Sequence, residues 1–175
     1  MAKRLAHPLP TQAYLKSVLI YDPETGIFIW RWRDALPLNW NRRRAGCVAG
    51  SRDKRGYVLL GLDGRVYPAH RLAWVYEHGD VLGRTDDVDH KEDPKWDNRI
   101  CNLRPATASQ NLGNRKRSRG KLLPKGVYAE RHRFRAILRH NGRSNSLGTY
   151  GTIEEAHAAY RAKASLVFGE FARFD

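Results

Sequence analysis

A carboxylate, an imidazole and two carboxamides that could do chemistry together lie within one short segment of this chain. Asp89 and His90 are adjacent, and Asn102 and Asn111 follow in order. The oxygens of Asp89 and Asn111 suit a hard divalent cation such as Mg²⁺, which takes few protein ligands and leaves its other positions to water and phosphate. His90 could then deprotonate an attacking water molecule. A cation site beside a general base is the minimum needed to hydrolyse a phosphodiester.

Local sequence signals predict the elements that position these residues. Val88-Asp89-His90 follows an apolar-flanked run, and an extended pattern resumes after a polar loop at Asn102, so we expect a short hairpin with His90 on its first arm. Thr107 and Gln110 have the form of a capping box that opens a helix. Asn111 would then lie in the first turns of that helix, facing back toward the hairpin.

This arrangement resembles the HNH (His-Asn-His) endonuclease family, in particular its small phage and mobile-element branch related to homing endonucleases. The resemblance covers roughly residues 57 to 115. It ends in Asn111 where the family name has His, a replacement that is usual in this branch. The segments that carry it are Tyr67-Pro68-Ala69-His70-Arg71-Leu72-Ala73-Trp74, Val88-Asp89-His90, Asp97-Asn98-Arg99-Ile100-Cys101-Asn102-Leu103-Arg104, Ala106-Thr107 and Gln110-Asn111.

The resemblance implies a role for each residue of the motif. Asp89 and Asn111 would be the ligands of one Mg²⁺ or Mn²⁺ ion per active site, and His90 would be the general base. Asn102 would be the middle residue, whose side chain ties the loop between the two strands. The fold it implies is a ββα-metal (His-Me finger) nuclease module.

The segment before the Asp-His pair leaves one role open. Arg71 either belongs to a packing helix that also carries Trp74, or its guanidinium reaches the scissile phosphate. We favour a structural role for His70. The candidate catalytic residues are therefore His90, Asn102 and Arg71, beside the candidate metal ligands already named.

The first third of the chain is expected to form a β-rich platform for the nuclease module. Thr11 could cap a short helix, a turn at 21–26 leads into a strand at 27–32, and Asp63-Gly64 is a two-residue hairpin signal. The basic segment 41–46 is expected to be a loop. It would either contact phosphate or remain solvated.

The last third of the chain carries a separate pattern. Three short strands at 126–128, 133–138 and 146–150 are expected, with a turn centred on Asn141-Gly142, and Thr152 with Glu155 opens a helix. This stretch, roughly 125 to 173, resembles the Apetala/ethylene-response-factor DNA-binding domain, which lays a three-stranded sheet in the DNA major groove and packs it on one helix. The matching segments are Gly126-Val127-Tyr128, Arg135-Ala136-Ile137-Leu138, Leu147-Gly148-Thr149-Tyr150 and Glu154-Glu155-Ala156.

Alternation along the second of these strands predicts an arginine-rich sheet face. Side chains two apart share a face, so Arg131, Arg133, Arg135 and Arg139 are expected to project together. Their guanidinium groups would make a uniformly positive face that suits guanine edges and phosphates. The alternative is a solvated, arginine-rich face. Ser144 and Ser146 would line the third strand on the same side, where the family often has larger residues. The candidate DNA-binding residues, which include a basic linker that could track the DNA backbone, are Arg115, Lys116, Arg117, Arg119, Arg131, Arg133, Arg135, Arg139 and Arg143.

The charge of the chain favours a polyanionic partner. There are 32 Lys and Arg against 18 Asp and Glu, for a net charge of +14, and the pI is near 10.2. Residues 80–97 hold seven acids and three bases, whereas residues 115–143 hold eleven bases and one acid. An acidic island in a basic chain is where a cation would bind.

Cysteine usage and hydropathy exclude other classes. Cys47 and Cys101 form no Cys-x-x-Cys pair, so a zinc-stapled fold is not indicated, and both are expected to be reduced, packed thiols. No apolar run approaches the length of about 20 residues that a membrane span needs, and residues 1–8 lack the apolar core of a signal peptide. We expect a protein of the cytoplasm, that of the host cell if a phage encodes it.

The combined prediction is an α+β chain in four segments. These are an N-terminal β-rich platform (1–56), an HNH nuclease module (57–115), a basic linker (116–124) and an Apetala/ethylene-response-factor-like domain (125–175), a small three-stranded sheet packed on one helix. The predicted function is metal-dependent cleavage of double-stranded DNA, as a phage or mobile-element homing endonuclease. One site would cut one strand, so a double-strand break would need a homodimer or two sequential nicks.

Two other classes fit parts of the pattern. A sequence-specific DNA-binding regulator with an inactive nuclease module would explain the basic C-terminal third, but all of Asp89, His90 and Asn111 are present, which argues against a decayed site. An RNA-binding or ribosome-associated protein would fit the charge and would leave these three residues without a role.

Overall fold

The chain forms two compact units, residues 1–105 and 106–175, in the computed structural model. The structure describes residues 8–79, 86–116 and 122–174. Within these ranges, helices alternate with four small sheets of two or three strands, which is compatible with the predicted α+β class. The division into four functional segments remains a prediction, and each compact unit is described below by itself.

The described residues of the first unit form three short helices and three small sheets. Helices α1 (Gln12–Val18), α2 (Leu38–Arg44) and α3 (Ala69–His78) are joined by strands β1 (Leu19–Asp22), β2 (Ile27–Trp30), β3 (Ser51–Arg52), β4 (Val58–Leu62), β5 (Arg65–Pro68) and β6 (Asp86–His90). A 3-10 turn at Ile100–Asn102 leads into β7 (Leu103–Thr107). The strands pair as β1-β2, β3-β4-β5 and β6-β7.

Local signals account for several of these elements. The side-chain oxygen of Thr11 accepts a hydrogen bond from the backbone of Tyr14 and caps α1, as predicted. The predicted turn between β4 and β5 is confirmed, since Asp63 and Gly64 have φ values of 49° and 76°. Both central residues of a type I′ turn require positive φ, which matches the twist of the flanking strands.

One hydrophobic core organises the first unit. It contains residues of α1, of the β1-β2 hairpin and of α3, including Leu15, Phe28 and Leu72, and it extends to Val88 on β6 and Leu103 on β7. The N-terminal platform and the Asp-His segment are therefore parts of one core. The packing of the first thirty residues can therefore determine the geometry around residue 90.

Three expectations for the first unit are wrong. The basic segment expected as a loop at 41–46 is mostly helical, because α2 runs to Arg44. Asn41 holds this helix: its Oδ1 accepts from the backbone of Arg33 and its Nδ2 donates to the Arg33 and Leu36 carbonyls. The strand expected to reach residue 32 ends at Trp30. Both cysteines are free thiols as predicted, but they are exposed rather than packed.

The second unit is a three-stranded sheet with one long helix. After α4 (Ala108–Asn114), strands β8 (Val127–Glu130), β9 (Arg133–His140) and β10 (Arg143–Tyr150) form an antiparallel sheet in the order β10-β9-β8, and α5 (Ile153–Phe168) follows. Ala136 and Leu138 of β9 are buried with Ala156 and Tyr160 of α5. The expected sheet packed on one helix is confirmed.

Two capping boxes predicted from the sequence are present in the second unit. Thr107 with Gln110 begins α4, and Thr152 with Glu155 begins α5, each with reciprocal side-chain and backbone hydrogen bonds. The turn between β9 and β10 is centred on Asn141 and Gly142, whose φ values are 49° and 73°. Across the described parts of the chain, no helix combines the length and hydropathy that a bilayer crossing requires.

Candidate functional site

The strand β6 turns its residues alternately toward and away from the core of the first unit. Val88 and His90 are buried, whereas Asp87 and Asp89 on the opposite face are partly exposed. This alternation follows from the two-residue period of a β-strand. It keeps the imidazole of His90 inside the unit and leaves a carboxylate accessible next to it.

His90 lies in a cluster of rings at the end of β6. Its ring centroid is 4.8 Å from that of His70 and 5.8 Å from that of Tyr57, and its Nε2 is 3.2 Å from the Oδ1 atom of Asn98. Burial lowers the pKa of His90, while the hydrogen bond to Asn98 and the charge of Asp89 act in the opposite direction. The ring is therefore neutral near pH 7, which is the state a general base requires.

His70 is a packing residue of this cluster. It is buried at the start of α3, and burial together with the neighbouring His90 lowers the pKa of His70 to about 3. A ring that stays neutral adds no positive charge beside His90. This placement agrees with the structural role favoured for His70.

Asp89 faces a buried arginine of β7. The Oδ2 atom of Asp89 is 3.4 Å from Nη2 of Arg104, and the two side chains are 16% and 10% exposed. A guanidinium group at this distance favours the ionised carboxylate, the form in which Asp89 could hold a cation. Sequence reasoning gave Arg104 no role, although it lies within the matching segment.

Asn102 ties together the loop between β6 and β7. Its Oδ1 accepts a hydrogen bond from the backbone of Glu92 at 3.0 Å, and its Nδ2 donates to the carbonyls of Asp97 and Glu92 at 3.1 and 3.3 Å. The Lys91 backbone also donates to the Asn102 carbonyl at 2.8 Å. These are the contacts expected of a residue that shapes the loop and touches no substrate itself.

Arg71 lies on α3 and reaches toward β6. Its Nε is 3.4 Å from Oδ1 of Asp87, which precedes Asp89 by two positions on the same strand face. The side chain of Arg71 is 25% exposed. Its two proposed roles, packing on α3 and contact with a phosphate, are both compatible with this position.

Asn98 is a buried residue of the site that sequence reasoning did not single out. It is 2% exposed, and its backbone carbonyl accepts a hydrogen bond of 2.6 Å from the hydroxyl of Tyr21. Next to it, Asp97 binds the Arg99 guanidinium through both carboxylate oxygens, which lowers the pKa of Asp97. The only sequence signal was its place in the Asp97-Asn98-Arg99 run, because its partners are distant in the chain.

Asn111 belongs to the second unit, on α4. Its Oδ1 is buried and has no hydrogen-bond partner among the described residues. A buried amide oxygen without a partner is unfavourable, and a hard cation is one group that would satisfy it. The donor types of Asp89 and Asn111, a carboxylate and an amide oxygen, thus fit Mg²⁺ or Mn²⁺. No group of three or more His, Cys, Asp or Glu side chains suited to a metal occurs within the described ranges.

The outer face of the second unit's sheet carries arginines from β9. Arg133, Arg135 and Arg139 are exposed at alternate positions, and the register places Ser144 opposite Arg139 and Thr149 opposite Arg135 on β10. A bulge between Ser146 and Gly148 shifts the pairing by one residue. This face therefore combines guanidinium and hydroxyl groups.

Two details of that face differ from the prediction. Arg131 lies outside β9, in the turn before that strand, with φ 52°, so strand alternation does not place it among the β9 arginines. The face is also not uniformly positive: Glu130 of β8 shares it and binds Arg135 in a two-pronged ion pair. Arg143 is exposed and lies opposite His140, next to the turn, whereas Arg139 lies opposite Ser144.

The predicted linker residues are only partly described. Arg115 and Lys116 follow α4 and are exposed. Arg117 and Arg119 lie outside the described residues.

Residues 67–112 match the family model described as HNH endonuclease. No curated protein and no solved structure matches the chain. The matched segment contains Arg71, Asp89, His90, Asn102 and Asn111. It supports an HNH nuclease, a class that generally uses a divalent metal ion and for which DNA is the implied substrate.

Proposed function

We propose that this protein is a metal-dependent DNA endonuclease that hydrolyses a phosphodiester at Asp89 and His90. The observation that carries the proposal is the match of residues 67–112 to the HNH endonuclease family. The same residues contain a neutral, buried imidazole next to a partly exposed carboxylate. That is the combination a hydrolytic site of this class needs.

Asp89 and Asn111 are the residues proposed to hold one Mg²⁺ or Mn²⁺ ion. When bound, such an ion supplies Lewis-acid stabilisation of the charge that develops on the phosphate and on the leaving 3′ oxygen. The partly exposed carboxylate of Asp89 and the unsatisfied Oδ1 atom of Asn111 support this assignment.

His90 is proposed to accept the proton of the attacking water. Its lowered pKa keeps the ring neutral at physiological pH, and its hydrogen bond to Asn98 fixes the ring. Asn102 holds the loop that carries Asn98 through its bonds to Glu92 and Asp97. Arg71 is proposed to contact the scissile phosphate, with Asp87 as its ion-pair partner on β6.

The second unit is proposed to bind duplex DNA as an Apetala/ethylene-response-factor-like domain. The three-stranded sheet packed on α5 and the exposed side chains of Arg133 and Arg139 support this role. The linker residues Arg115, Lys116, Arg117 and Arg119, with Arg131, Arg135 and Arg143, would add contacts to the phosphates. A sheet in the major groove reads base edges through such side chains.

The biological type proposed is a phage or mobile-element homing endonuclease. The resemblance of residues 57 to 115 to that branch supports it. So does the combination of an HNH-family segment with an arginine-rich three-stranded sheet. One active site per chain cuts one strand, so a homodimer or two successive nicks would produce a double-strand break.

The direct test is incubation of the purified chain with supercoiled plasmid in Mg²⁺, Mn²⁺ or EDTA, beside the His90→Ala variant. The plasmid should carry DNA from the neighbourhood of the gene. We expect metal-dependent nicking or linearisation that the variant lacks. Tight binding of this DNA without cleavage in either metal would instead favour a DNA-binding regulator, since HNH domains include inactive members.

A further inference from the structure

Asn98 contacts the candidate base directly, and the nuclease motif gives it no role. Its Oδ1 lies 3.2 Å from His90 Nε2, while its Nδ2 donates to the carbonyl of Trp96, also at 3.2 Å. The bond to Trp96 determines which end of the amide faces the imidazole, because a carbonyl can only accept. The end that faces His90 is therefore the oxygen.

The identity of this acceptor determines the tautomer of His90. An amide oxygen accepts a hydrogen bond but cannot donate one, so the neutral ring must carry its proton on Nε2. The opposite tautomer would set two lone pairs against each other in a site where Asn98 is only 2% exposed. Nδ1 is then the nitrogen with the lone pair that can accept a proton.

The backbone around Asn98 is held by the N-terminal hairpin. The hydroxyl of Tyr21 donates to the Asn98 carbonyl at 2.6 Å, and the backbone of Ile100 donates to the Pro23 carbonyl at 3.1 Å. At Gly26, where φ is +72°, an added Cβ would lie only 2.5 Å from the carbonyl carbon of Asn98. The turn between β1 and β2 therefore approaches the loop as closely as a glycine allows.

Taken together, we infer that Asn98 is a positioning residue that holds His90 in its Nε2–H tautomer, and that the β1-β2 hairpin holds Asn98 in place. The inference rests on the proposed nuclease function and assigns the N-terminal third a part in it. The β1-β2 hairpin holds the loop that contains Asn98, and the side-chain amide of Asn98 accepts a hydrogen bond from Nε2 of His90. Nδ1 is then the basic atom of the ring.

The test compares two full-length variants of similar size at position 98. Asn98→Leu removes the acceptor, whereas Asn98→Asp keeps an oxygen that can face Nε2. For each protein, the ¹⁵N spectrum of the neutral His90 ring reports the tautomer, with the signal assigned by its absence in His90→Ala. The single-turnover cleavage rate constant with Mg²⁺ and the Kd for the same DNA are measured in parallel.

We expect the wild-type ring to be the Nε2–H tautomer and the ring of Asn98→Leu to be a mixture. Cleavage by Asn98→Leu should slow by about 10- to 100-fold, the range seen when a partner that orients a histidine is lost, with unchanged Kd. Asn98→Asp should keep the Nε2–H tautomer of the neutral ring. A wild-type ring with its proton on Nδ1 would overturn the inference, as would Asn98→Leu with wild-type tautomer and rate.

These readouts separate the inference from the proposed function. If the protein never cleaves DNA, the nuclease proposal fails, but the ring spectrum still shows whether Asn98 sets the tautomer. If Asn98→Leu does not fold, the wild-type and Asn98→Asp spectra decide. The spectrum shows which ring nitrogen carries the proton. A general loss of stability does not move the proton from one nitrogen to the other.

Tyr21→Phe tests the part played by the hairpin. The change removes the donor to the Asn98 carbonyl but keeps the ring that packs 4.6 Å from Phe28. A partial mixture of His90 tautomers and a few-fold slower cleavage are expected. Wild-type values for both would overturn the role assigned to the hairpin.

Discussion

The two units of this chain use polar residues in opposite ways. In the first unit the polar side chains around His90 are buried and bonded mainly to backbone: Asn98 is 2% exposed and Asn102 is 8% exposed. In the second unit the arginines of β9 project from an open sheet face. Buried, hydrogen-bonded polar groups such as Asn98 and Asn102 fix a geometry, whereas exposed cations offer charge to a partner.

This difference agrees with the proposal that the first unit carries the chemistry and the second unit binds the DNA. A reacting group needs neighbours that set its protonation state, which His90 has in Asn98 and Asp89. A polyanion needs only accessible positive charge at the right spacing, which Arg133 and Arg139 provide. Substitutions in the first unit should therefore change cleavage, and substitutions on the sheet face should change binding.

The largest difference between the effect on cleavage and the effect on DNA binding is expected for Asp89→Ala. Removing the proposed metal ligand should lower the cleavage rate constant on the order of 10³-fold, because several kcal/mol of transition-state stabilisation is lost, while Kd for DNA stays the same. Asp87→Ala is the matched change on the same face of β6. It should cost about 10-fold or less, since Asp87 acts through Arg71. Equal losses in single-turnover assays of both variants would argue against Asp89 as the ligand.

Loss of charge from the sheet face should affect binding alone. Arg133→Ser combined with Arg139→Ser should weaken DNA binding and reduce the slope of log K against log salt by about 2, if each contacts one phosphate. The cleavage rate constant at saturating DNA should not change. Titrations at several salt concentrations check this, with Arg161→Ser and Lys163→Ser on α5 removing the same charge. If that control pair lowers the slope equally, the effect belongs to net charge rather than to the sheet.

Overfilling the core of the second unit should lower its stability more than backbone strain alone. At Gly126, with φ +80°, an added Cβ would lie 2.0 Å from the ring of Tyr160. Gly126→Ala should cost roughly 3 kcal/mol or more through strain and overlap. Gly142→Ala has φ +73° but meets nothing within 4 Å, so it should cost roughly 1–2 kcal/mol. Urea unfolding measures the free energy of unfolding of both variants. If Gly142→Ala lowers it as much as Gly126→Ala does, overlap with the Tyr160 ring is not the cause of the loss.

The smallest expected effect comes from the helix caps. Thr152→Ala removes the side-chain acceptor for the Glu155 backbone at the start of α5. Thr11→Ala does the same for Tyr14 at the start of α1. Each should lower the free energy of unfolding by about 1 kcal/mol. Thermal unfolding of both variants compares the two units directly. A loss of stability in either variant that exceeds the loss in Gly126→Ala would contradict the expected ranking of these effects.

Local patterns in the sequence predicted the elements that depend on local contacts. The capping boxes at Thr107 and Thr152 and the turns at Asp63-Gly64 and Asn141-Gly142 need only residues a few positions apart, and all four are present. Their backbone requirements, such as positive φ, are met by few residue types. The sequence could therefore specify them without knowledge of the fold.

The features that the sequence did not predict depend on distant contacts or on exposure. The helix α2 lacks a side-chain cap and is held by Asn41 bonding to the backbone of Arg33 and Leu36. Asn98 is linked to Tyr21, which lies 77 positions away. The turn at Arg131 and the pairing of Arg135 with Glu130 changed the expected face because strand ends decide which side chains share it.

The central claim is that His90 drives hydrolysis of a phosphodiester, and the chemistry of the cut ends tests it most directly. A duplex substrate would be cleaved in ¹⁸O-labelled water with Mg²⁺, and the termini analysed by mass spectrometry. We expect a 3′ hydroxyl and a 5′ phosphate carrying one ¹⁸O atom, formed by the wild type and not by His90→Ala. Cleavage by His90→Ala at the wild-type rate, or ends without the label, would contradict the assignment of His90 as the base.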